Sequence, residues 1–151
     1  MTYLRQEQLL PISHEEAWSF FSTPRNLEQL TPPSMPFRIE CLRSEDIHEG
    51  QLISYRIRLF PLVWTTWVTE IKEVVPGESF VDDQAVGPYA LWRHIHRLEP
   101  VSAQETNVID EIYYHVGMGF LGSLAAALYV DRQVQSIFAY RKSVLEQRWN
   151  P

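Results

Sequence analysis

Along the chain, apolar and polar positions switch between two periods, and the switches mark out the elements. Residues 3–10 alternate in the manner of an edge strand, closed by Pro11. Ser13-His14-Glu15-Glu16 reads as a capping box: Ser13 accepts from the Glu16 amide and the Glu16 side chain reaches back to the Ser13 amide. Behind it, Ala17, Trp18, Phe20 and Phe21 supply the apolar, core-facing side of a short helix that ends before Pro24. A second short helix is predicted over 24–30, with proline in its first turn. Pro32, Pro33 and Pro36 then hold 31–36 in extended loop, because each disfavours helix at the residue before it.

From Phe37 the rhythm becomes period two. Strands are predicted at 37–42, 52–59, 64–74, 80–86, 90–98 and 107–116. Glu49-Gly50, Pro61, Pro76-Gly77, Gly87-Pro88 and a loop over 100–105 separate them. Strands that follow one another through short turns form an antiparallel meander, which excludes βαβ crossovers. The last element is helical, with Phe120, Leu124, Ala127, Val130, Val134, Phe138 and Leu145 at 3.6-residue spacing. Its first half is apolar nearly all round, and Asp131, Arg132, Arg141 and Lys142 appear only later. That gradient predicts a helix buried on every face at its start and polar on one face towards its end. The fold class is therefore α+β: a curved antiparallel sheet of about seven strands, in β-α-α-β-β-β-β-β-β-α order, wrapped around a long C-terminal helix. No linker or repeat divides residues 1–151, so a single domain is expected.

Composition narrows the function classes. Five Trp, seven Tyr and seven Phe make 13% of the chain aromatic, which suits either a ring-rich core or a ring-lined cavity. The formal net charge is −6, with Lys and Arg scattered singly. No basic stripe for a phosphate backbone exists, so nucleic acid is not an expected partner, and anionic membrane surfaces repel the chain. The single cysteine, Cys41, excludes an internal disulfide and a cysteine-cluster metal site, and its place in an alternating run predicts a buried thiol. Residues 1–10 lack the apolar core of a signal peptide, and 118–130 is too short to span a bilayer. A cytoplasmic protein with no membrane insertion is expected.

Chemistry concentrates on the meander. Residues two apart on a strand share a face, which aligns Trp92, His94, His96 and Leu98; Phe80, Asp82 and Gln84; Asp110, Ile112 and Tyr114; and Tyr55 with Ile57. With the rings facing inward, Asp82, Gln84, His94, His96, Asp110 and Tyr114 follow them. Three readings of the histidines stay open: a satisfied internal network with the acids, a polar end for a bound ligand, or a catalytic acid/base pair or metal site. His-x-His plus Asp82 is too few ligands to argue for metal, and no metal or other cofactor is expected. Trp64 and Trp67, three apart, point to opposite faces; Trp67 is expected in the cavity and Trp64 at a rim or interface. Tyr89 is expected to pack a turn or to gate the cavity. Neither a Gly-rich phosphate loop nor a serine elbow occurs.

Several motifs carry a family resemblance. Asn26-Leu27-Glu28-Gln29-Leu30-Thr31-Pro32-Pro33, Phe80-Val81-Asp82-Asp83-Gln84, Gly87-Pro88-Tyr89, Trp92-Arg93-His94-Ile95-His96 and Asp110-Glu111-Ile112-Tyr113-Tyr114 resemble runs of a small bacterial branch of the START-like, or SRPBCC, superfamily. That branch is related to polyketide cyclase/dehydrase proteins and has the helix-grip, Bet v 1-like fold. The chain departs from it at Val116-Gly117-Met118-Gly119, where relatives tend to carry a proline, and at Leu98, where they carry Phe. The resemblance implies a hydrophobic cavity between sheet and final helix, used across the superfamily for lipids, hormones, polyketides or aromatic compounds.

The leading expectation is a binder of a hydrophobic small molecule, with Tyr55, Ile57, Trp67, Asp82, Gln84, Trp92, His94, His96, Tyr114, Leu124 and Phe138 as ligand-binding residues. The alternative is a polyketide cyclase/aromatase-like enzyme in which His94 or His96 moves a proton and Asp82 or Asp110 orients it. A third is a noncatalytic interaction module, acting as a homodimer or docked on a partner enzyme.

Overall fold

A computed structural model describes residues 1–60, 62–117 and 124–150, with the side chains of 59, 60 and 124–126 outside the description. The elements are β1 (Thr2–Leu10), α1 (His14–Phe21), α2 (Asn26–Gln29), β2 (Phe37–Cys41), β3 (Leu52–Phe60), β4 (Val63–Val75), β5 (Ser79–Val86), β6 (Leu91–Ser102), β7 (Glu105–His115) and α3 (Leu124–Trp149). All seven strands form one antiparallel sheet in the order β1-β7-β6-β5-β4-β3-β2. The meander therefore runs unbroken from β2 to β7, and β1 closes on the far edge of β7. The concave face carries Ile53, Tyr55, Ile57, Trp67, Ile71, Phe80, Ile112 and Tyr114, and α3 packs Val130, Val134 and Phe138 against that cluster. A second cluster of Leu10, Ile12, Ala17, Phe20, Leu98, Val108 and Leu145 seals the end where α1 sits.

Sequence and structure part at five places, each for a physical reason. The Ser13 hydroxyl accepts from the Glu16 amide at 3.2 Å, but the Glu16 carboxylate takes the Trp149 indole N–H at 3.2 Å instead of returning to Ser13. Half of the capping box is thus exchanged for a tie between α1 and the end of α3. Ser13→Ala removes the remaining cap and is expected to cost about 1 kcal/mol, read as a drop in thermal midpoint.

Cys41 is exposed rather than buried. The β2–β3 register shifts between Ile39 and Cys41, and that bulge on an edge strand turns the thiol out of the alternation. The loop expected over 100–105 shrinks to a two-residue turn, because β6 continues to Ser102 and β7 starts at Glu105. Pro100 is tolerated there by a register shift between Pro100 and Ser102.

The start of α3 is not buried all round, since Leu128 and Tyr129 are 51% and 44% exposed. One stripe faces the sheet, and it includes Arg141, which the sequence pattern assigns to the polar face. The expectations for Phe120 and for the side chains of Leu59 and Leu124 lie outside the described residues. As expected, Trp67 is buried while Trp64 on the other face is 40% exposed, with the Arg38 guanidinium 5.4 Å over its ring.

Candidate functional site

Strand register builds the polar part of the site. Across the sheet, Asp82 pairs with His94 and Phe80 with His96, while on the other side His94 pairs with Ile112 and His96 with Asp110. Two histidines on β6 are therefore flanked by one aspartate on β5 and one on β7, offset by a step along the strands. The short contacts run along the diagonals: His94 Nε2 to Asp110 Oδ1 at 2.8 Å, and His96 Nε2 to Asp82 Oδ2 at 2.6 Å. The direct neighbours stand further apart, with His94 Nδ1 and Asp82 Oδ2 at 3.4 Å and His96 Nδ1 and Asp110 Oδ1 also at 3.4 Å. Diagonal partners across a pleated sheet are within reach of side chains of this length.

Arg141 completes the cluster from α3. Its Nη2 donates to Asp110 Oδ1 at 3.1 Å and its Nε lies 3.0 Å from Asp110 Oδ2, with both side chains only 4% exposed. Burial by itself would push the Asp110 carboxyl up; the charge of Arg141 and the two histidine contacts instead hold it well below the usual carboxylate range. Burial would likewise raise Asp82, and the neighbouring His94 and His96 lower it, helped by the Trp92 indole. The two histidines diverge. Desolvation, reinforced by the charge of His96, lowers His94. In His96 burial is outweighed by the carboxylates of Asp110 and Asp82, so its proton is held more tightly than in free histidine.

An ionised carboxylate can only accept, so the short contacts fix the protons. His94 Nε2–H donates to Asp110 and His96 Nε2–H donates to Asp82. The second ring nitrogen of His94, Nδ1, faces Asp82 Oδ2 at 3.4 Å. His96 lies flat against Phe80, with ring centroids 4.2 Å apart at 13°.

A cavity of about 110 Å3 opens above this cluster. Asp82, His94 and Arg141 form its polar end; Tyr55, Ile57, Trp67, Trp92 and Phe138 form its walls. The α1–α2 segment supplies a further wall through Leu27, Leu30 and Thr31. Two ties hold that wall in place: Glu28 accepts from the Ile39 amide at 2.9 Å, and Asn26 donates to the Phe20 carbonyl at 2.9 Å. A smaller cavity of about 40 Å3 lies towards Phe20, Phe80 and His96, and Tyr55, Asp82 and Arg141 border both.

Of the expected ligand-binding residues, Tyr55, Ile57, Trp67, Asp82, Trp92, His94 and Phe138 line the larger cavity. Three do not. His96 faces the smaller one. Tyr114 is buried and gives its hydroxyl to Asp131 at 2.8 Å. Gln84 is spent on the β5–β6 turn: its amide donates to the Tyr89 carbonyl at 2.8 Å and accepts from the Tyr89 amide at 3.2 Å. Asp110 sits behind His94, outside both linings.

The Gln84 clamp holds Tyr89, which is buried, lines the cavity and packs on Trp67 and Trp92 at 5.4 and 5.1 Å. It also explains Gly87, where a Cβ would overlap the Gln84 amide oxygen. Gly87→Ala is expected to swing that amide out and free the Tyr89 turn, at a cost of about 1–3 kcal/mol in thermal or denaturant unfolding. Gln84→Ala should make the same glycine substitution nearly silent.

Sequence reasoning missed Arg141, Leu27, Leu30, Thr31, Met35, Phe37, Thr69 and Ile137 in the lining. Arg141 carried a usable signal, since it falls on the helical stripe of Val134, Phe138 and Leu145. A charged residue on an apolar stripe demands a buried counter-ion, and Asp110 is that counter-ion.

Asp82, His94 and His96 also place three potential ligand atoms within 4.8 Å of one another, the spacing of a metal site. The donor set fits poorly: the 2.6 Å contact between His96 and Asp82 has a proton in it, and the Arg141 guanidinium is adjacent through Asp110.

Among solved structures, the Zhui aromatase/cyclase from Streptomyces is similar over 97% of this chain and 92% of its own, with a TM-score of 0.74 and 12% identity. A START superfamily protein from Mycobacterium smegmatis is similar over 96% of this chain and 97% of its own, with a TM-score of 0.65 and 11% identity. At such identities the likeness establishes the fold alone, which is the START-like helix-grip. No curated protein sequence matches the chain. A family model described as a domain of unknown function (DUF8410) matches residues 9–149, and the chain belongs to that family.

Proposed function

We propose that this protein binds a small hydrophobic molecule between the sheet and α3, with the body of the ligand among the rings and its polar end at Asp82 and His94. The observation that carries the reading is the contrast within one cavity: apolar walls on most sides, and at one end buried polar atoms with capacity left over. Tyr55, only 4% exposed, makes no hydrogen bond with its hydroxyl among the described residues, yet it borders the cavity beside Asp82. Buried polar groups of this kind are satisfied by a partner. A volume of about 110 Å3 is of the order that holds one aromatic ring. A single ring or short chain is thus favoured over a large lipid. The START superfamily and aromatase/cyclase neighbours support small-molecule binding as the general use of the fold. No helix among the described residues is long and apolar enough to cross a membrane.

Native mass spectrometry of freshly isolated protein, followed by solvent extraction, tests this reading. A reproducible small molecule near unit stoichiometry, lost in Trp67→Ala and in His94→Ala, is expected. Retention of that molecule in both variants would place it elsewhere.

One arrangement favours a second, enzymatic reading. His94 lines the cavity, its Nε2 is held by Asp110, and Asp110 is anchored by Arg141. A base oriented by a carboxylate is the relay that general-base chemistry needs, and the similar Streptomyces protein is an aromatase/cyclase. His94→Gln separates the readings: loss of turnover of a reactive polyketide with affinity retained supports the enzyme, and parallel loss of affinity supports the binder.

A further inference from the structure

The polar end of the cavity has a definite hydrogen-bonding sign. Both histidine contacts to Asp82 fall on Oδ2, which leaves Oδ1 outside them; the Trp92 indole also donates to this carboxylate, and the Asp82 side chain is 19% exposed. His94 Nδ1 faces the same carboxylate oxygen at 3.4 Å. An ionised carboxylate only accepts, so a ligand that fits Asp82 at the cavity floor brings donors. The nearest fixed cation, Arg141, directs both of its contacts to Asp110 and leaves Asp82 without it.

The walls have a sign as well. Trp67 and Trp92 meet at 87° with centroids 5.2 Å apart, and Tyr89 leans on both at 62° and 44°. Tyr55 and Phe37, also in the lining, are tilted at 31° with centroids 4.7 Å apart. Aromatic faces carry negative charge density, so several inclined rings around one space attract a cation. The formal net charge of −6 acts in the same direction on approach.

Resting on the binding reading above, we infer that the ligand is an organic amine in its ammonium form. Its N–H groups donate to Asp82, and its carbon body lies among Tyr55, Trp67, Tyr89 and Trp92. A carboxylate ligand would meet Asp82 head on. A divalent metal would have to displace the proton shared by His96 and Asp82, whereas an ammonium leaves that bond intact.

Calorimetric titration with benzylamine and with its neutral isostere benzyl alcohol, near neutral pH, tests the inference on the unmodified protein. Benzylamine is expected to bind about thirtyfold more tightly, the size of a hydrogen bond to the charged Asp82 carboxylate. In Asp82→Asn, checked by its melting curve to be folded, the ratio is expected to fall close to one. Benzyl alcohol binding as tightly as benzylamine would overturn the amine assignment and leave the cavity reading standing. Zinc ions excluding benzylamine from the cluster would overturn it in favour of a metal. Should neither compound bind, nor toluene, the amine assignment and the binding reading fall together.

Discussion

Arg141→Met lowers stability by about 3–5 kcal/mol, because it leaves the Asp110 carboxylate buried without its cation. Methionine conserves much of the volume on the α3 stripe, so the loss is electrostatic rather than a cavity effect. The acid response moves with it. In the wild type, Asp82 and Asp110 both have folded-state values below the ordinary 3.8, so their stabilisation is present above that pH and is lost as pH falls through the folded values. Removing Arg141 raises the Asp110 carboxyl, and acid unfolding is expected at higher pH. The histidines oppose one another: His96, raised, stabilises below the ordinary 6.5 and loses that contribution as pH rises, while His94, lowered, costs stability as pH falls below 6.5. Chemical denaturation of wild type and Arg141→Met across an acid pH series checks both statements. A variant as stable as wild type, with an unmoved acid limb, would show that Asp110 is neutralised some other way.

Phe138→Ala is the second large effect, at about 3–5 kcal/mol for a buried ring. Phe138 is 4% exposed and stands edge-on to His94 at 5.3 Å, forming with Ile137 the apolar part of the wall that α3 contributes. Its removal enlarges the cavity towards α3 and uncovers His94. Part of the lost stability is expected to return on addition of an apolar filler such as toluene, because binding to the folded state alone adds stability. Full loss with no recovery would mean that the space collapses and that Phe138 belongs to the core rather than to a binding wall.

The element order was readable because the hydrophobic period changes cleanly at Phe37 and again beyond Val116, and every strand break except the Ala103-Gln104 turn carries Pro or Gly. The alignment of Asp82, His94 and Asp110 on one face follows from period two alone. Their bonding pattern did not, since it depends on register: His94 reaches Asp110 rather than its direct neighbour because β5, β6 and β7 are offset by one step. Gln84 shares the inward face with Asp82, yet no period reveals that the turn beginning three residues on will claim its amide. Cys41 failed for the converse reason, as a bulge ended the alternation that placed it. Arg141 was legible only in retrospect, once charge on the apolar stripe is read as a demand for a buried partner. The α1–α2 wall escaped because loop-borne lining residues such as Met35 have no periodicity.

The central claim, that the cavity beside Asp82 and His94 is a binding site, is tested most directly by the indole N–H signals of the five tryptophans. Titrating toluene or benzylamine into nitrogen-15-labelled protein, with signals assigned by single substitutions, is expected to shift Trp67 and Trp92 in one saturable transition. Trp64 on the outer sheet face and Trp149 at the end of α3 are expected to stay in place. Saturable shifts at Trp64 with Trp67 and Trp92 unmoved would contradict the account and move binding to the outer surface.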